Sequence, residues 1–324
     1  MVVAALVALA LHSRPAPKGT ATHATHKGLH VKGAQIVEGD GKPFVMRGIS
    51  HPYAWYKAQS GVYADVKRLG ANTLRVVLDG RVTAGEVADI IARCKANRLI
   101  CVLEYHDTTG HGEQDGSVGL DEAADFWAGL RPVLQGQEDY VVVNLGNEPY
   151  GNTGAEAWTA ATEAAIARLR AAGLGHLLMV DAPGWGQDWK GVMRGNAPAV
   201  FASDPRHNVA FSVHMYGVYD TAAKVTGYYD AFHRAGLPLV VGEFGWKHTD
   251  GAVDADAIMR EAAARGIGYL GWSWSGNTGG VEYLDAATGF AADRLTQWGR
   301  RLFDGPDGIR ATAREAEVYA AQAG

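Results

Sequence analysis

The sequence predicts an α/β protein, a closed (β/α)8 TIM barrel, and three observations carry that expectation. Eight short apolar runs rich in β-branched residues follow residue 44, Ala-rich amphipathic segments lie between them, and the runs recur at a nearly regular interval. Runs that are apolar at almost every position belong to strands buried on both faces, as in a parallel sheet covered by helices. An interval of roughly 30 to 40 residues holds one strand, one helix and two loops, and eight such units close into a barrel.

The runs are FVMRGIS from Phe44, NTLRVVL from Asn72, LICVLEYH from Leu99, YVVVNLGNE from Tyr140, HLLMVDA from His176, NVAFSVHMY from Asn208, LPLVVGEF from Leu237 and IGYLGWSW from Ile267. Helical patterns cover residues 63–69, 84–96, 122–134, 155–172 and 252–265, each ending near Gly, Asn or a charged residue, with an eighth helix expected around 303–321. Before the first run, residues 29–43 place GDGKP between two short alternating stretches, which predicts a β-hairpin at the barrel floor. An open doubly wound sheet is disfavoured because no GxGxxG or P-loop follows the first strand. With no internal repeat, residues 28–324 read as one barrel domain.

Residues 1–27 read as a signal peptide followed by a flexible linker. An apolar run from Val2 leads to Ala8, Leu9 and Ala10, which resemble a signal-peptidase site and predict a secreted protein, although the first positive charge after Met1 comes only at Arg14. The Pro-, Ala- and Thr-rich stretch that follows has no periodicity, and His12, His23, His26 and His30 read as a solvated tail rather than a metal tract. No run of about 20 apolar residues exists, so the mature protein is expected to have no membrane span.

Thirty Lys and Arg against 35 Asp and Glu give a net charge of -5 with no basic block, which excludes nucleic acid as an expected partner. Nine Trp and 13 Tyr beside 42 Gly suit ligands with apolar faces and polar rims, and sugar rings are such ligands. Cys94 and Cys101 are too few for a disulfide framework, though one bridge between them is compatible with a helix turning into a strand.

In this fold chemistry sits at the C-terminal ends of the strands, which filters the polar residues. Arg75 lies inside the second run, Glu104, Tyr105, His106 and Asp107 end the third, and Asn147 and Glu148 end the fourth. His214, Met215 and Tyr216 end the sixth, Glu243 the seventh, and Trp272, Ser273 and Trp274 the eighth. Glu148 and Glu243 terminate otherwise apolar runs, where an unpaired charge is costly to bury. Eight tilted strands make a ring about 15 Å across, with the fourth and seventh tips about 14 Å apart. Glutamates reaching inward from both leave roughly 5 Å between carboxyl groups, the gap of a retaining glycosidase; inversion needs more room for its water.

One of the two must then hold a proton and the other be ionised. Arg75 and the Tyr216 hydroxyl can keep a carboxylate charged, Asn147, His106 and His214 can bind sugar hydroxyls, and Trp272 can floor the reacting ring. A metal site from His51, His106 and His214 lacks HxH or HExxH spacing, and there is no GxSxG, so neither a metal nor a nucleophilic serine is expected.

These residues resemble glycoside hydrolase family 5, and within it the bacterial endo-β-1,4-mannanases. The resemblance is carried by RGISHPYAWY from Arg47, GANTLRVVL from Gly70, CVLEYHDTTG from Cys101, VVNLGNEPYGN from Val142, VDAPGWGQDW from Val180, FSVHMYGVY from Phe211, GEFG from Gly242 and GWSWSGN from Gly271. It implies that Glu148 is the acid/base and Glu243 the nucleophile, with Arg75, His106, Asn147, His214, Tyr216 and Trp272 at the remaining active-site positions. It also implies Trp185 as a leaving-group-side contact and Trp55 and Trp274 as further substrate contacts. Ser50 and Tyr53 stand where the family often carries Asn and a second His.

The resemblance implies an endo-β-1,4-mannanase that acts on β-mannan-type polysaccharide with no metal or organic cofactor; the apolar start predicts secretion, a cleft enzyme on a polymer is expected to be a monomer, and no carbohydrate-binding module is expected after the eighth helix. An endo-β-1,4-glucanase of the same family is the rival expectation, and a non-catalytic polysaccharide-binding barrel a more distant one.

Overall fold

The computed structural model describes residues 28–320. The expected signal peptide and linker lie outside the described residues, as does the last residue of the expected eighth helix.

A two-stranded hairpin, β1 (His30–Lys32) and β2 (Gln35–Val37), precedes eight parallel strands: β3 (Arg47–His51), β4 (Thr73–Leu78), β5 (Ile100–Tyr105), β6 (Val141–Asn144), β7 (Leu178–Asp181), β8 (Val209–Met215), β9 (Leu239–Phe244) and β12 (Gly268–Gly271). They close in the order β12-β3-β4-β5-β6-β7-β8-β9, the barrel the sequence predicts. A two-residue pair, β10 (Lys247–His248) and β11 (Gly251–Ala252), folds over the mouth after β9.

Side-chain alternation sorts each strand into two environments. Cys101, Leu103, Val141, Val143, Leu178, Val180, Phe211 and Val213 face outward into the main core beneath the helices. Met46, Ile100, Val102, Val142, Met179, Ala210, Val240 and Leu270 face inward and form a separate cluster that includes Leu29 and Ile36 of the hairpin region. The hairpin therefore plugs the floor, tied on by Asn208, which accepts from the Val31 N–H at 3.1 Å and donates to the Leu29 carbonyl at 3.3 Å. Its tight turn lies at Gly33 and Ala34, and GDGKP forms the following turn instead. Two residues further up the inward face the chemistry changes: Arg75, Glu104, Asn144, Asp181, Ser212 and His214 are all buried.

The helices that wrap the barrel are α1 (Val62–Arg68), α2 (Ala84–Ala96), α3 (Leu120–Gly129), α4 (Arg131–Leu134), α5 (Trp158–Ala171), α6 (Val192–Ser203), α7 (Ala222–Ala235) and α8 (Ala255–Arg265). Thr83 and Glu86 form a reciprocal capping box on α2, where the expected limits hold. The segment expected as one helix over 122–134 is two, because Pro132 near the start of α4 has no N–H to continue α3. α6 went unrecognised because Gly195 and Pro198 lie within it. The expected eighth helix is replaced by α9 (Gln297–Asp304), α10 (Ile309–Thr312) and α11 (Glu317–Ala320), broken where Gly305, Pro306 and Gly308 interrupt the pattern. Cys94 and Cys101 are both buried and free, so the possible bridge is not formed. No helix among the described residues is long and apolar enough to cross a membrane.

Candidate active site

The polar layer opens into a cavity of about 740 Å³ at the C-terminal mouth, lined among others by His106, Asn147, Glu148, Trp185, Tyr216, Glu243 and Trp272. The ends of β5, β6, β8, β9 and β12 and the loop after β7 converge on it, so seven of the residues expected from sequence come together.

Glu243, on β9, is held by two donors. Arg75 Nη1 donates to its Oε1 at 2.6 Å and the Tyr216 hydroxyl to its Oε2 at 2.9 Å. Burial raises the Glu243 pKa from its ordinary value, His214 and Arg75 pull it down, and the charges of Glu148 and Glu104 push it up again. The net effect is a raised pKa, which the guanidinium and the hydroxyl on its two oxygens oppose by favouring the charged form. Arg75 is fully buried and its remaining nitrogens donate to Asn147 Oδ1 at 2.7 Å and Asn144 Oδ1 at 3.0 Å.

Glu148 lies beyond the end of β6 with φ of 39°, a left-handed conformation uncommon for a residue with a side chain. The turn aims its carboxylate across the mouth while leaving it partly exposed. One oxygen of Glu148, one of Glu243 and a ring nitrogen of His214 all lie within 4.8 Å of one another. His214 Nδ1 is 2.7 Å from Glu148 Oε1 and 3.6 Å from Glu243 Oε2, and Nε2 is 3.2 Å from Asp181 Oδ2. Burial alone lowers the pKa of this imidazole, but the charges of Glu243 and Asp181, the close approach of Asp181 and the bond to Glu148 outweigh it and raise it to about 10. Both ring nitrogens of His214 thus face carboxylate oxygens, which favours its charged form and suits this trio to proton chemistry.

His106 stands 3.1 Å from Glu104 Oε1, a contact that raises its pKa against the effect of burial. Its ring lies nearly parallel to Trp272, with Trp55 edge-on to it at 5.1 Å. Trp272 Nε1 donates to Asn277 Oδ1 at 2.9 Å, which fixes the indole as a wall of the cleft. Trp185 adopts φ of 55° and packs on Gly110, where a Cβ would sit 2.4 Å from the indole, so glycine is required there. Trp55 is exposed beside His106, at the rim.

Trp274 is the correction. It is fully buried, edge-on to Phe303 of α9, and cannot meet substrate. β12 ends at Gly271, so the two-residue alternation that would put Trp272 and Trp274 on one face stops before reaching it. His51, too, stays apart from the other strand-end histidines, enclosed by the rings of Tyr53, Tyr63 and Phe290. Sequence reasoning missed Asp181, Gln187, Trp189, His248 and Asp250. Gln187, Trp189, His248 and Asp250 line the cavity, and Gln187 donates to Asp250 Oδ2 at 2.8 Å. Asp181 ends an apolar strand as Glu243 does, and that signal was available.

A closed barrel with two facing carboxylates at its mouth, ringed by donors and aromatic walls, defines a class: a glycoside hydrolase. The family model described as cellulase (glycosyl hydrolase family 5) matches residues 37–278, and the chain belongs to glycosyl hydrolase family 5. It is similar to a mannan endo-1,4-beta-mannosidase of Streptomyces lividans, with 57% identity over 94% of this chain and 80% of the relative. A mannan endo-1,4-beta-mannosidase of Cellvibrio japonicus is 50% identical over 90% of this chain and 69% of its own length. Among solved structures, a β-mannanase from Thermomonospora fusca superposes with a TM-score of 0.89 at 54% identity, covering 90% of this chain and 99% of that one. That β-mannanase has also been solved as a mannohexaose complex.

Proposed function

We propose that the protein is a retaining endo-β-1,4-mannanase that cleaves internal bonds of mannan, glucomannan or galactomannan. The observation that carries the chemistry is the approach of the Glu148 and Glu243 oxygens to within 4.8 Å, the short gap of double displacement rather than the wider gap of inversion. Kinship to mannan endo-1,4-beta-mannosidases supports the sugar.

In the first step Glu243, ionised under Arg75 and Tyr216, attacks the anomeric carbon while Glu148 gives its proton to the departing glycosidic oxygen. The carbon–oxygen bond of the polymer breaks as the bond to Glu243 forms. In the second step Glu148 takes a proton from water, the water oxygen bonds to the anomeric carbon, and Glu243 leaves as a carboxylate. Two inversions restore the starting configuration. Trp272, Trp185 and Trp55 offer flat faces to successive rings, and Asn147 offers a donor and an acceptor to a hydroxyl. The apolar start of the chain supports release from the cell, which the N-terminal sequence of protein recovered from culture medium tests.

The test is incubation with linear mannan, glucomannan, soluble cellulose and mannohexaose. Internal cleavage of mannohexaose, with the newly formed reducing end first seen by NMR as the β-anomer and lost in Glu243→Ala, is the expected result. An α-anomer at first appearance would overturn the double displacement. Faster turnover of cellulose than of mannan would make the protein a glucanase.

A further inference from the structure

We propose that Asp181 is the positioning residue for Glu148, its carboxylate holding that residue from two directions: through the ring of His214 to the Glu148 side chain, and by accepting the backbone N–H of Glu148. The inference rests on the reading of Glu148 as acid/base and adds a residue to it.

Asp181 is the last residue of β7, buried on the inward face above Met179. Its Oδ1 accepts from Asn144 Nδ2 at 2.9 Å. Its Oδ2 lies 3.2 Å from His214 Nε2 and 3.5 Å from Arg75 Nη2, and accepts the Glu148 N–H at 3.4 Å. Both oxygens are thus committed, and the carboxylate cannot swing. A charge at such depth is costly, and an ion network kept only for stability gains little, so its partners are the informative part.

Those partners converge on one residue. His214 stands between Asp181 and Glu148, its ring backed by Gly186, where a Cβ would come within 2.6 Å of the ring. With Nε2 facing Asp181, Nδ1 is left to donate to Glu148 Oε1 at 2.7 Å. The main chain of Glu148 occupies a left-handed conformation that is unfavourable for a residue with a side chain. That conformation is pinned on one side by Asp181 and on the other by the Gly110 N–H, which donates to the Glu148 carbonyl at 3.0 Å.

The chemical consequence concerns where the mobile proton resides. Asp181 neutralises the His214 charge in place, so the imidazolium keeps its own proton and steadies the Glu148 carboxylate formed when the leaving oxygen takes the other. Without Asp181 the ring is free to turn or to deprotonate, and Glu148 loses both its aim and its counter-charge.

The experiment compares two substrates by kcat/KM, which reports the glycosylation step. Mannohexaose needs its leaving oxygen protonated, whereas 2,4-dinitrophenyl β-mannobioside releases 2,4-dinitrophenolate, which departs without a proton. Asp181→Asn is expected to lose roughly 30- to 100-fold on mannohexaose and less than about threefold on the aryl substrate, a selectivity that follows from the size of general-acid effects. A structural defect lowers both alike, and because both are measured on one preparation their ratio is independent of the folded fraction. Asp181→Ser supplies a second reading if the asparagine variant accumulates poorly. Equal losses, or none, would overturn the proposal. Glu148→Ala, run alongside, separates the two levels: if it too lacks selectivity the acid/base assignment falls, and if it alone is selective only the role of Asp181 falls.

Discussion

Arg75 lies 2.6 Å from Glu243 and, through its other nitrogens, bonds the side chains of Asn144 and Asn147. One buried guanidinium from β4 therefore sets the charge of the carboxylate on β9 and the orientation of the amide next to Glu148. The two halves of the site are built on a shared cation.

Removing that cation is expected to act on both stability and rate. Arg75→Ala leaves Glu243, Asp181 and Glu104 buried around an empty space, which should cost about 3 to 5 kcal/mol in urea unfolding. The folded fraction should turn over mannan at least about 1000-fold more slowly, since the carboxylate that attacks is then without its strongest donor. A variant that unfolds normally yet is inactive would show that Arg75 serves chemistry alone.

Tyr216→Phe removes one donor and leaves the ring packed against His248. A hydrogen bond to a carboxylate is worth about 1.5 to 3 kcal/mol, so kcat should fall roughly 10- to 100-fold. Loss of a donor to the ionised form raises the pKa of Glu243, and the acid limb of the kcat/KM profile should move to higher pH. An unchanged limb would mean that the hydroxyl acts on substrate instead.

The two tryptophans given substrate roles from sequence are expected to separate. Trp185→Ala should raise KM for mannohexaose about 10-fold with little change in thermal midpoint, as for the loss of one stacking surface. Trp274→Ala opens the core beside Phe303 and should cost about 3 to 5 kcal/mol, with KM preserved in whatever remains folded. Calorimetry beside steady-state kinetics distinguishes them.

Acid should weaken the fold through buried imidazoles. His51 and His176 lie in dry surroundings that lower the pKa of each to about 4. The unfolded chain takes up protons near pH 6.5 that the native state refuses, so stability is full above that pH and falls as pH drops toward 4. Each group contributes up to about 3 kcal/mol to that loss, and His51→Asn should flatten the dependence of the urea midpoint on pH. His214 works the other way: its raised pKa favours the fold below pH 6.5, and that contribution is lost as pH rises through about 10.

Much of the active site was legible because cost and position coincide. A carboxylate closing an apolar run has no packing reason to be there, and that argument found Glu148 and Glu243 directly. It applies equally to Asp181 and Glu104, yet their meaning depends on Arg75 and His214, which come from strands far away in sequence and meet them only once the ring closes. Trp274 misled for the opposite reason, since its substrate role came from the family resemblance alone, and past the end of β12 the chain turns that indole into the core. The cavity-lining group of Gln187, His248 and Asp250 left no periodic signal, because loops follow side-chain hydrogen bonds rather than a repeat.

The hairpin that corks the narrow end of the ring has a bearing on what leaves the wide end. With the rear filled by Leu29, Ile36 and Met46, the hydrolytic water must come in through the same doorway as the polymer. A second saccharide resting on Trp185 would then contend with water for the intermediate, so the balance between cutting and splicing chains should respond to changes at that threshold rather than at the carboxylates themselves.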